Sequence, residues 1–345
     1  MSQGSDIPTA RSGRVTIRTV AEHAGVSVAA VSKVLRDAYG VSAALRAKVE
    51  ASIATLNYRP SAAARGMRGQ TYTIGVIMAD INNPFYPQIF EGINDGLSDT
   101  QYIPLIGLGR GLATIETTIV HAMVDRQMDG IIMIGQRLNT PGLNEVAKSL
   151  PIVVVAHHEP TATAFDTVNN DDELGGRLVV EHLLAQGYKR PAMITLSRAQ
   201  LGRVDVSDRR ERGFAKAMQA AGLGHYVHIE AAEAELDDVT ATVRELLERP
   251  DPPDAIFGWA DYYALEVLSA VRTLGYRVPE DIGVIGYDNS EPCSFTQNNL
   301  TSIDQSGREI GRQAVRMLLE RIGGRTTVEH FVTTPKVSLR GSTQR

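Results

Sequence analysis

From Tyr72 to the end of the chain, short and almost uninterrupted apolar runs alternate with amphipathic helical patterns. A short apolar run without internal polar positions is typical of a strand that is buried on both faces of a parallel sheet. The sequence therefore predicts an α/β architecture, in which helices cover both faces of parallel sheets. The predicted strands are 73–78, 103–106, 130–134, 152–155, 192–196, 255–257 and 282–285.

Helical patterns lie between these runs, near 85–99, 114–126, 174–186, 209–221, 237–249 and 261–274. Three of them end at a glycine, Gly187, Gly222 or Gly275, the residue type that most often follows the last turn of a helix. A stretch of roughly 275 residues reaches the size at which a single hydrophobic core usually stops growing. We therefore expect this part of the chain to form two α/β lobes.

The first 60 residues follow a different pattern, which predicts three short helices at 16–23, 27–36 and 42–56. The residues in front of these helices have the side chains that are preferred for capping, namely Thr16, Ser27 and Ser42. Gly25 supplies a tight turn between the first two helices, so that the second helix can enter a major groove of DNA. A glycine turn between short helices is also common in proteins that bind no DNA.

Charge is distributed unevenly along the chain. Residues 1–70 carry ten basic and four acidic side chains, a formal charge of +6, whereas the remaining 275 residues carry −11. A basic segment on an acidic body suggests that the segment binds a polyanion such as nucleic acid, although short terminal segments also vary in charge by chance. Residues 1–13 are polar and without periodicity, which predicts a disordered tail.

A hinge is predicted after the third helix. Pro60 ends that helix, because proline has no N–H to donate and restricts the residue before it. Residues 61–68 can form a helix of only one to two turns, which is too short to be stable alone in water. We assign 61–71 to a hinge helix and linker, in which Met67 is either a functional apolar side chain or an incidental one.

Composition excludes several classes of protein. The one cysteine, Cys293, rules out an internal disulfide and argues against a cysteine-based zinc site. No apolar run approaches the ~20 residues of a membrane helix, and the first ten residues lack the apolar core of a signal peptide. With 43% hydrophobic and 22% charged residues, the chain is expected to be a cytoplasmic globular protein.

Ligands of open parallel sheets bind at the carboxyl ends of the strands. Polar and aromatic side chains follow several predicted strands at 80–86, Gly109-Arg110, Gln136, His157-His158 and Asp288. Trp259, the one tryptophan, ends another strand and either stacks on a sugar or a base or packs between the lobes. We therefore expect a small-molecule cleft between the lobes.

Signals for other chemistry are weaker. The loop Gly107-Leu-Gly-Arg-Gly111 follows a strand, as a dinucleotide-binding loop does, but it lacks the final glycine at the required spacing. His157 and His158 point to opposite sides of an extended segment, which argues against a shared metal ion. Asp171-Asp172-Glu173 fits the first turn of a helix better than a metal site. No catalytic residue, metal site or cofactor is predicted.

Motifs in a fixed order run through almost the whole chain. In the first part they are Thr16-Ile-Arg-Thr-Val-Ala-Glu-His-Ala-Gly-Val-Ser-Val-Ala-Ala-Val-Ser-Lys-Val-Leu35, Val41-Ser42, Leu56-Asn-Tyr-Arg-Pro60, Ala64-Arg-Gly-Met67 and Ile74-Gly-Val76. In the rest they are Asn83-Pro-Phe-Tyr86, Asp129-Gly-Ile-Ile132, Pro151-Ile-Val-Val154, Arg210-Glu-Arg-Gly-Phe214, Val278-Pro-Glu-Asp281, Gly286-Tyr-Asp288 and Leu300-Thr301. With these motifs, residues 15–343 resemble the lactose-repressor (LacI/GalR) family of bacterial transcription regulators.

The resemblance implies a small all-α helix-turn-helix DNA-binding domain at 14–60. Val28 and Ala29 stand where family members read bases, and they offer only apolar contact; alternatively, they pack on the core of the head. Thr19 stands where the family often has a carboxylate, which leaves the capping of the first helix open. Met67 would be the apolar wedge that enters the minor groove. The DNA-binding residues implied by the resemblance are Thr16, Ser27, Val28, Ala29, Ser32, Lys33, Tyr58, Arg65 and Met67.

The resemblance also implies a two-lobe body at 72–345, similar to periplasmic binding proteins, that closes on a small effector. Arg210 and Asp288 are the polar pair expected to hold adjacent sugar hydroxyls, although Asp288 could instead cap the following turn. A sugar or sugar acid is the first choice of ligand and a nucleobase or nucleoside the second. The implied effector-binding residues are Phe85, Tyr86, Arg110, Gln136, His157, Asn170, Arg210, Trp259, Asp261 and Asp288.

The predicted function is that of a DNA-binding transcription regulator, which acts as a homodimer on a near-palindromic operator. Repression is predicted because it is the commoner mode of regulation in the family that the chain resembles. A transport-type sugar-binding protein shares the two-lobe body and is the alternative without DNA function. A nucleotide-dependent oxidoreductase would rest on the glycine loop 107–111 alone. We expect one lobe at about 72–165 and 298–328, and the other at about 166–297 and 329–345.

Overall fold

The computed structural model describes residues 15–36, 38–59, 70–197, 205–233 and 236–345. The chain divides into two compact units, Met1–Thr71 and Tyr72–Arg345. The predicted tail, and the part of the hinge helix that contains Arg65 and Met67, lie outside the described residues. Within the described residues, no helix combines the length and the apolar character that crossing a membrane requires.

The first unit contains the three predicted helices, which begin and end within one or two residues of the expected positions. They are α1 (Ile17–Ala24), α2 (Val28–Leu35) and α3 (Ala43–Thr55). Each helix turns its apolar stripe inward, which gives a small core of Val20, Ala21, Ala24, Val31, Val34, Val49 and Tyr58. Burial of one stripe from each helix stabilises helices that would be marginal in isolation.

The second unit alternates strands and helices along the chain, as predicted. Its elements are β1 (Thr73–Met78), α4 (Tyr86–Leu97), β2 (Ile103–Leu108), α5 (Ala113–Asp125), β3 (Gly130–Ile134), α6 (Thr140–Ala147), β4 (Ile152–Val155), β5 (Asp166–Asn170), α7 (Asp172–Ala185), β6 (Pro191–Leu196), α8 (Asp205–Ala220), β7 (His228–Ala232), α9 (Leu236–Leu247), β8 (Ala255–Gly258), α10 (Asp261–Thr273), β9 (Gly283–Tyr287), β10 (Thr301–Asp304), α11 (Gly307–Ile322), β11 (His330–Thr333) and β12 (Lys336–Ser338).

The strands of this unit form two six-stranded sheets, one in each lobe. The N-lobe sheet has the order β11-β5-β4-β3-β1-β2 and is parallel throughout. The C-lobe sheet has the order β12-β10-β9-β8-β6-β7 and is parallel except for β12, which pairs antiparallel to β10. The predicted fold class, which combines two parallel-sheet α/β lobes with a small all-α head, is confirmed.

Side chains of the N-lobe strands point alternately to the two faces of their sheet. Ile74 and Val76 of β1 pack with α4 and α11, whereas Ile77 packs with α5 and α6 on the opposite face. The C-lobe repeats this arrangement, with α9 and α10 on one face and α7 and α8 on the other. Because each sheet is covered on both sides, its central strands need apolar residues at nearly every position, which is the pattern seen in the sequence.

The predicted boundaries between the lobes are wrong in three places. β5 belongs to the N-lobe sheet, although 166–170 was expected in the second lobe, and β11 likewise belongs to the N-lobe. β10 belongs to the C-lobe sheet, although 301–304 was expected in the first lobe. The chain therefore crosses between the lobes just after each of these strands. β5 and β10 carry mostly polar residues, so that no apolar run marked them as strands.

The three crossing segments are joined by the hydroxyl of Thr333, at the end of β11. The Thr333 Oγ1 lies 3.2 Å from the Oδ1 of Asn170, at the end of β5, and 3.2 Å from the carbonyl oxygen of Gln305, just after β10. All three residues are buried. A buried hydroxyl shared between these acceptors holds the crossing segments at a fixed spacing.

Replacement of Thr333 by valine tests this contact, because valine keeps the shape and removes the hydroxyl. Leaving buried acceptors without their donor is expected to lower the free energy of unfolding of Thr333→Val by about 1–3 kcal/mol. Urea denaturation followed by far-ultraviolet circular dichroism measures the change. Thr333→Ser, which keeps the hydroxyl, is the matched control. Equal losses in both variants would show that packing of the methyl group, and not the hydroxyl, stabilises the crossing.

Candidate functional site

The turn between α1 and α2 has the geometry of a helix-turn-helix. Gly25 ends α1 with a φ of 58°, a left-handed conformation that glycine adopts without strain, and its N–H bonds to the carbonyls of Ala21 and Glu22. The Ser27 hydroxyl then accepts the backbone N–H of Ala30 at 3.1 Å and caps α2. Local capping on both sides of the turn therefore sets the direction of α2.

One face of α2 is exposed and the other is buried. Val31 and Val34 lie in the core of the head, while Val28 is 41% exposed and Ala29 and Lys33 are also exposed. The alternative that Val28 and Ala29 pack on the core of the head is therefore wrong. An exposed valine at the start of a capped helix is available for apolar contact with a binding partner.

The remaining head residues are placed as follows. Thr16 caps α1 in a reciprocal arrangement with Thr19, in which each side chain bonds to the other residue's backbone N–H at 3.3 Å. Thr19 thus fills the capping role with a hydroxyl instead of a carboxylate. Ser32 is half-buried on α2. Tyr58 packs in the core of the head and is 8% exposed.

The second candidate site is a cavity of about 450 Å³ that residues of both lobes line. It lies at the carboxyl ends of the strands, where the sequence predicts a cleft. The structure brings most of the predicted ligand-binding residues to its wall, namely Phe85, Tyr86, Gln136, His157, Asn170, Arg210, Trp259 and Asp288.

Arg210 forms the polar centre of the cavity. Its Nε donates to the Oδ1 of Asp172 at 2.8 Å, and its Nη1 donates to the carbonyl oxygen of Trp259 at 2.6 Å. The guanidinium also lies 3.6 Å from the centroid of the Tyr287 ring, within cation–π range. Asp288, which was predicted to hold the ligand together with Arg210, is farther away, with its Oδ1 3.9 Å from Nη1. Arg210 is therefore held mainly by Asp172.

The two buried carboxylates of this site have opposite pKa shifts. Burial raises the pKa of Asp172, but the charge of Arg210 and the hydrogen bond from His158, whose Nε2 lies 2.7 Å from the Asp172 Oδ2, outweigh it and hold this pKa below its usual value. Burial raises the pKa of Asp288 well above its usual value, because Arg210 is too distant to compensate and Asp261 adds repulsion. Asp172 is the charged partner of Arg210.

Asp288 is held by its backbone and by a crossing segment. Its φ is 117°, which L-residues rarely adopt, and its Oδ1 accepts the Nε2 of Gln305 at 2.5 Å. Side-chain contacts must maintain such a strained backbone, and strain of this kind often occurs at ligand sites. Since Gln305 follows β10, the bond attaches the wall of the cavity to a segment that joins the lobes.

Close packing of α7 on α8 determines where Arg210 lies. A Cβ at Gly176 would lie 2.2 Å from the carbonyl oxygen of Arg210, and a Cβ at Gly213 would lie 2.0 Å from that of Glu173. Both positions therefore require glycine, which lets the two backbones approach. This explains the glycine of the Arg210-Glu-Arg-Gly-Phe214 motif, since a wider spacing would withdraw Arg210 from Asp172.

Two predicted effector residues do not line the cavity. Asp261 is fully buried at the start of α10, where its carboxylate accepts the backbone N–H of Ser290 at 2.6 Å and the hydroxyl of Ser302 at 2.5 Å. Its position after β8 suggested the cavity, but these two donors turn its side chain into the C-lobe. Arg110 is an exposed turn residue with a φ of 55°, and the residues that follow it, Gly111, Leu112 and Ala113, line the cavity instead.

Several cavity residues were not predicted. Asp172 is the first residue of α7 and follows Asp171, whose carboxylate caps the helix. The sequence explained Asp172 as part of a helix start, so its contact with Arg210 was not predicted. His158 contacts Asp172, whereas His157 lines the cavity. Other lining residues that were missed are Asn83, Arg137, Asn139, Thr140, Asn169 and Gln305. Arg137 comes three residues after the end of β3, a predicted strand, so that this signal was present in the sequence, whereas Gln305 follows β10, which no apolar run marked as a strand.

Known proteins share these features. Residues 16–61 match the family described as bacterial regulatory proteins, lacI family, and residues 180–343 match a periplasmic binding protein-like domain. The ribose operon repressor of Escherichia coli (strain K12) is 33% identical, over 95% of this chain and 99% of that protein. The HTH-type transcriptional repressor PurR of Aliivibrio salmonicida (strain LFI1238) is 31% identical, over 89% and 92%.

Solved structures agree with this similarity. The lac repressor dimer bound to operator and the anti-inducer ONPF superposes with a TM-score of 0.83 at 26% identity, covering 96% of this chain and 99% of that one. The similarity thus extends over both units of the chain and is not confined to the two-lobe body.

The opposite pKa shifts predict opposite pH dependences for two variants. Asp172→Asn leaves the buried charge of Arg210 without its carboxylate and should cost about 3–5 kcal/mol at neutral pH. Because the pKa of Asp172 is lowered on folding, this cost is fully present above the pKa of an unfolded aspartate and decreases as the pH falls through the folded value.

Asp288→Asn should behave in the reverse way. Because the pKa of Asp288 is raised on folding, the wild type loses stability as the pH rises above the pKa of an unfolded aspartate. The variant therefore gains stability relative to the wild type above that pH. Urea unfolding from about pH 3 to about pH 8 measures both differences. Parallel pH profiles for the two variants would contradict the assignment of Asp172 as the charged partner.

Proposed function

The chain belongs to the LacI family of bacterial regulatory proteins, and on that basis we propose that it is a transcriptional repressor whose binding to operator DNA is controlled by a small ligand. The observation that carries the proposal is the exposed face of α2, which a capped turn orients and which the core of the head does not use. The cavity of the second unit supplies the place for the ligand.

We assign base contacts to the exposed start of α2. Val28 and Ala29 offer apolar contact, for instance to a thymine methyl group, and Lys33 can donate to a guanine or a phosphate. Thr16 and Ser27 accept backbone N–H groups as caps. The Ser27 hydroxyl still has a hydrogen to donate to a phosphate oxygen, and the Thr16 hydroxyl has one when the Thr19 hydroxyl, 3.1 Å away, is the donor of the bond between them.

The other assigned contacts to DNA rest on fewer observations. Ser32 and the hydroxyl of Tyr58 would contact phosphate, which sets the register of the head on the duplex and not its sequence preference. The roles of Arg65 and of Met67 as a minor-groove wedge rest on family membership, because both residues lie outside the described ranges.

A homodimer would bring two heads to the two halves of a near-palindromic operator. β2 is an edge strand of the N-lobe sheet and exposes apolar side chains, with Ile103 60%, Leu105 43% and Ile106 50% exposed. An apolar edge strand of this kind favours pairing with another chain. We therefore place the dimer contact of the N-lobe at β2.

The ligand proposed for the cavity is a small polar molecule such as a sugar or sugar acid. Amide, carboxylate and guanidinium groups surround it together with the aromatic rings of Phe85 and Trp259, a mixture that suits hydroxyls on an apolar skeleton. Binding of ligand and operator would be coupled reciprocally, typically by 1–3 kcal/mol. No bound cofactor and no catalytic reaction is part of the proposal.

The alternative, a transport-type binding protein, has no use for the capped helix-turn-helix head. Curated relatives that match nearly end to end are repressors, which favours a regulator that acts in the cytoplasm, where the DNA is. Enzymatic activity has no support from the cavity, since its central Arg210 and Asp172 already satisfy each other.

Selection of bound DNA from a random pool tests the proposal. At near-physiological salt the purified protein should enrich a palindrome of about 14–20 base pairs with a deformable centre. Met67→Ala should then weaken specific binding more than non-specific binding, because the wedge acts only where the central step opens. Equal losses would contradict the wedge. Absence of any enrichment, with and without pooled sugars and nucleosides, would contradict the repressor itself.

Substitution on the edge strand tests the dimer. Ile106→Glu places a charge within the apolar face of β2 and should raise the dissociation constant of the dimer at least about tenfold, as one buried unpaired charge requires. Analytical ultracentrifugation measures it. Val332→Glu is the matched control, because Val332 is 53% exposed on β11 at the opposite edge of the same sheet. A dimer that both variants leave unchanged would exclude β2 as the contact.

A further inference from the structure

We propose that the ligand of the cavity carries an anionic group, a carboxylate or a phosphate, and that Arg137 is the residue that recognises it. The inference rests on the proposed function in one respect, namely that the cavity binds the controlling molecule. It goes further in naming the charge of that molecule and the side chain that selects it.

Among the residues that the structure describes, Arg137 differs from Arg210 in forming no ion pair. It follows β3 and lines the cavity, and its buried Nε lacks a hydrogen-bond acceptor. Over the part of the chain that the structure describes, no carboxylate lies within ion-pair distance of its guanidinium. An unpaired, partly buried guanidinium is costly, and a carboxylate or phosphate is the group whose geometry its planar fork matches.

The other charges of the cavity balance each other. Arg210 is paired with Asp172 at 2.8 Å, and Asp172 also contacts His158. The Asp288 carboxyl accepts the amide of Gln305, and burial raises its pKa well above the usual value, which favours the neutral form. These pairings leave the guanidinium of Arg137 without an ion-pair partner among the described residues, and a neutral ligand would leave it so.

Two carboxylates lie near the Arg137 loop, and both are engaged with other groups. Glu116, which is fully buried on α5, accepts the backbone N–H of Arg137 through both oxygens at 2.8 and 2.9 Å and that of Leu138 at 3.0 Å. Glu159 accepts the hydroxyls of Thr161 and Thr140. Glu116 fixes the loop backbone and is close enough for the charge of Arg137 to lower its burial-raised pKa.

Gln136 adds a second requirement. It precedes Arg137 on the same loop, lines the cavity and is only 9% exposed, and its Oε1 is buried without a hydrogen-bond partner. This acceptor needs a donor, which a hydroxyl of the ligand supplies. A ligand that carries both a hydroxyl and an anionic group satisfies the two neighbouring residues at once. Hydroxy acids of the sugar type and sugar phosphates both fit this description.

Matched pairs of ligands test the proposal on the full-length protein. The pairs are glucose with gluconate, glucuronate and glucose 6-phosphate, ribose with ribose 5-phosphate, and adenosine with its monophosphate. Trp259 is the one tryptophan of the chain and lines the cavity, so its fluorescence reports binding, with calorimetry as a second measurement. At least one anion should bind about tenfold or more tightly than its neutral counterpart, as expected for a charge-assisted contact. Comparison of the sugar acids with the phosphorylated ligands shows whether the anionic group that is recognised is a carboxylate or a phosphate.

Substitution of Arg137 then assigns the preference to this residue. Arg137→Gln should weaken the preferred anion about 10- to 100-fold and leave its neutral counterpart unchanged. Arg137→Lys keeps the charge and should retain a weaker preference, which guards against a folding defect in the glutamine variant. Arg126→Gln is the matched control, since Arg126 is exposed at the end of α5 and does not line the cavity.

Three results would overturn the proposal: a neutral compound that binds as tightly as its anion, equal losses for both in Arg137→Gln, or no binding by any anion of the panel. Selected operator DNA is titrated with the same preparations. If operator binding is intact while the anion preference fails, the inference about Arg137 is wrong and the repressor function stands. If operator binding is absent, the proposed function fails, and the fluorescence titrations still report on the cavity.

Discussion

The hydroxyl of Thr333 lies where the three segments that cross between the lobes come together. It is within 3.2 Å of acceptors on the other two segments, Asn170 Oδ1 and the Gln305 carbonyl. These same residues continue into the wall of the cavity, since Asn170 donates to the Tyr287 hydroxyl and Gln305 to Asp288. The segments that cross between the lobes and the ligand site therefore belong to one buried hydrogen-bonded network. A change at one end of this network alters the hydrogen-bond partners at the other.

The polar centre of the cavity connects the lobes in a second way. Arg210 and Asp172 belong to the C-lobe, and Asp172 also contacts His158, which follows β4 of the N-lobe sheet. A ligand that competes for these groups would change the contact between the lobes as well as its own surroundings. This is the physical basis on which ligand binding in the second unit can favour one arrangement of the lobes over another.

Elements whose signal is local were predicted from the sequence. β1, β3 and β4 have the predicted bounds, because strands buried on both faces need uninterrupted apolar runs. β5 was missed, since it consists largely of polar residues that are satisfied only at long range; the carboxylate of Asp166, for example, pairs with Arg325. The lobe boundaries were displaced for the same reason. In the cavity, most of the predicted residues lie on the wall because they follow strands, whereas the orientation of Asp261 depended on partners far along the chain.

The sequence by itself determined the alternation of strands and helices, the capped turn of the head and the family, because each depends on neighbouring residues or on motifs in order. Only the tertiary structure decided how the charges of the cavity are paired. Arg210 and Asp288 were both expected to hold the ligand, and both line the cavity, but the sequence did not indicate that Arg210 is held by Asp172, 38 residues earlier, through the close approach of α7 and α8. Within the described ranges, the guanidinium of Arg137 forms no ion pair, and its Nε has no hydrogen-bond acceptor. Pairing of buried charges depends on distances of a few ångströms between separate elements, and no local pattern encodes these distances.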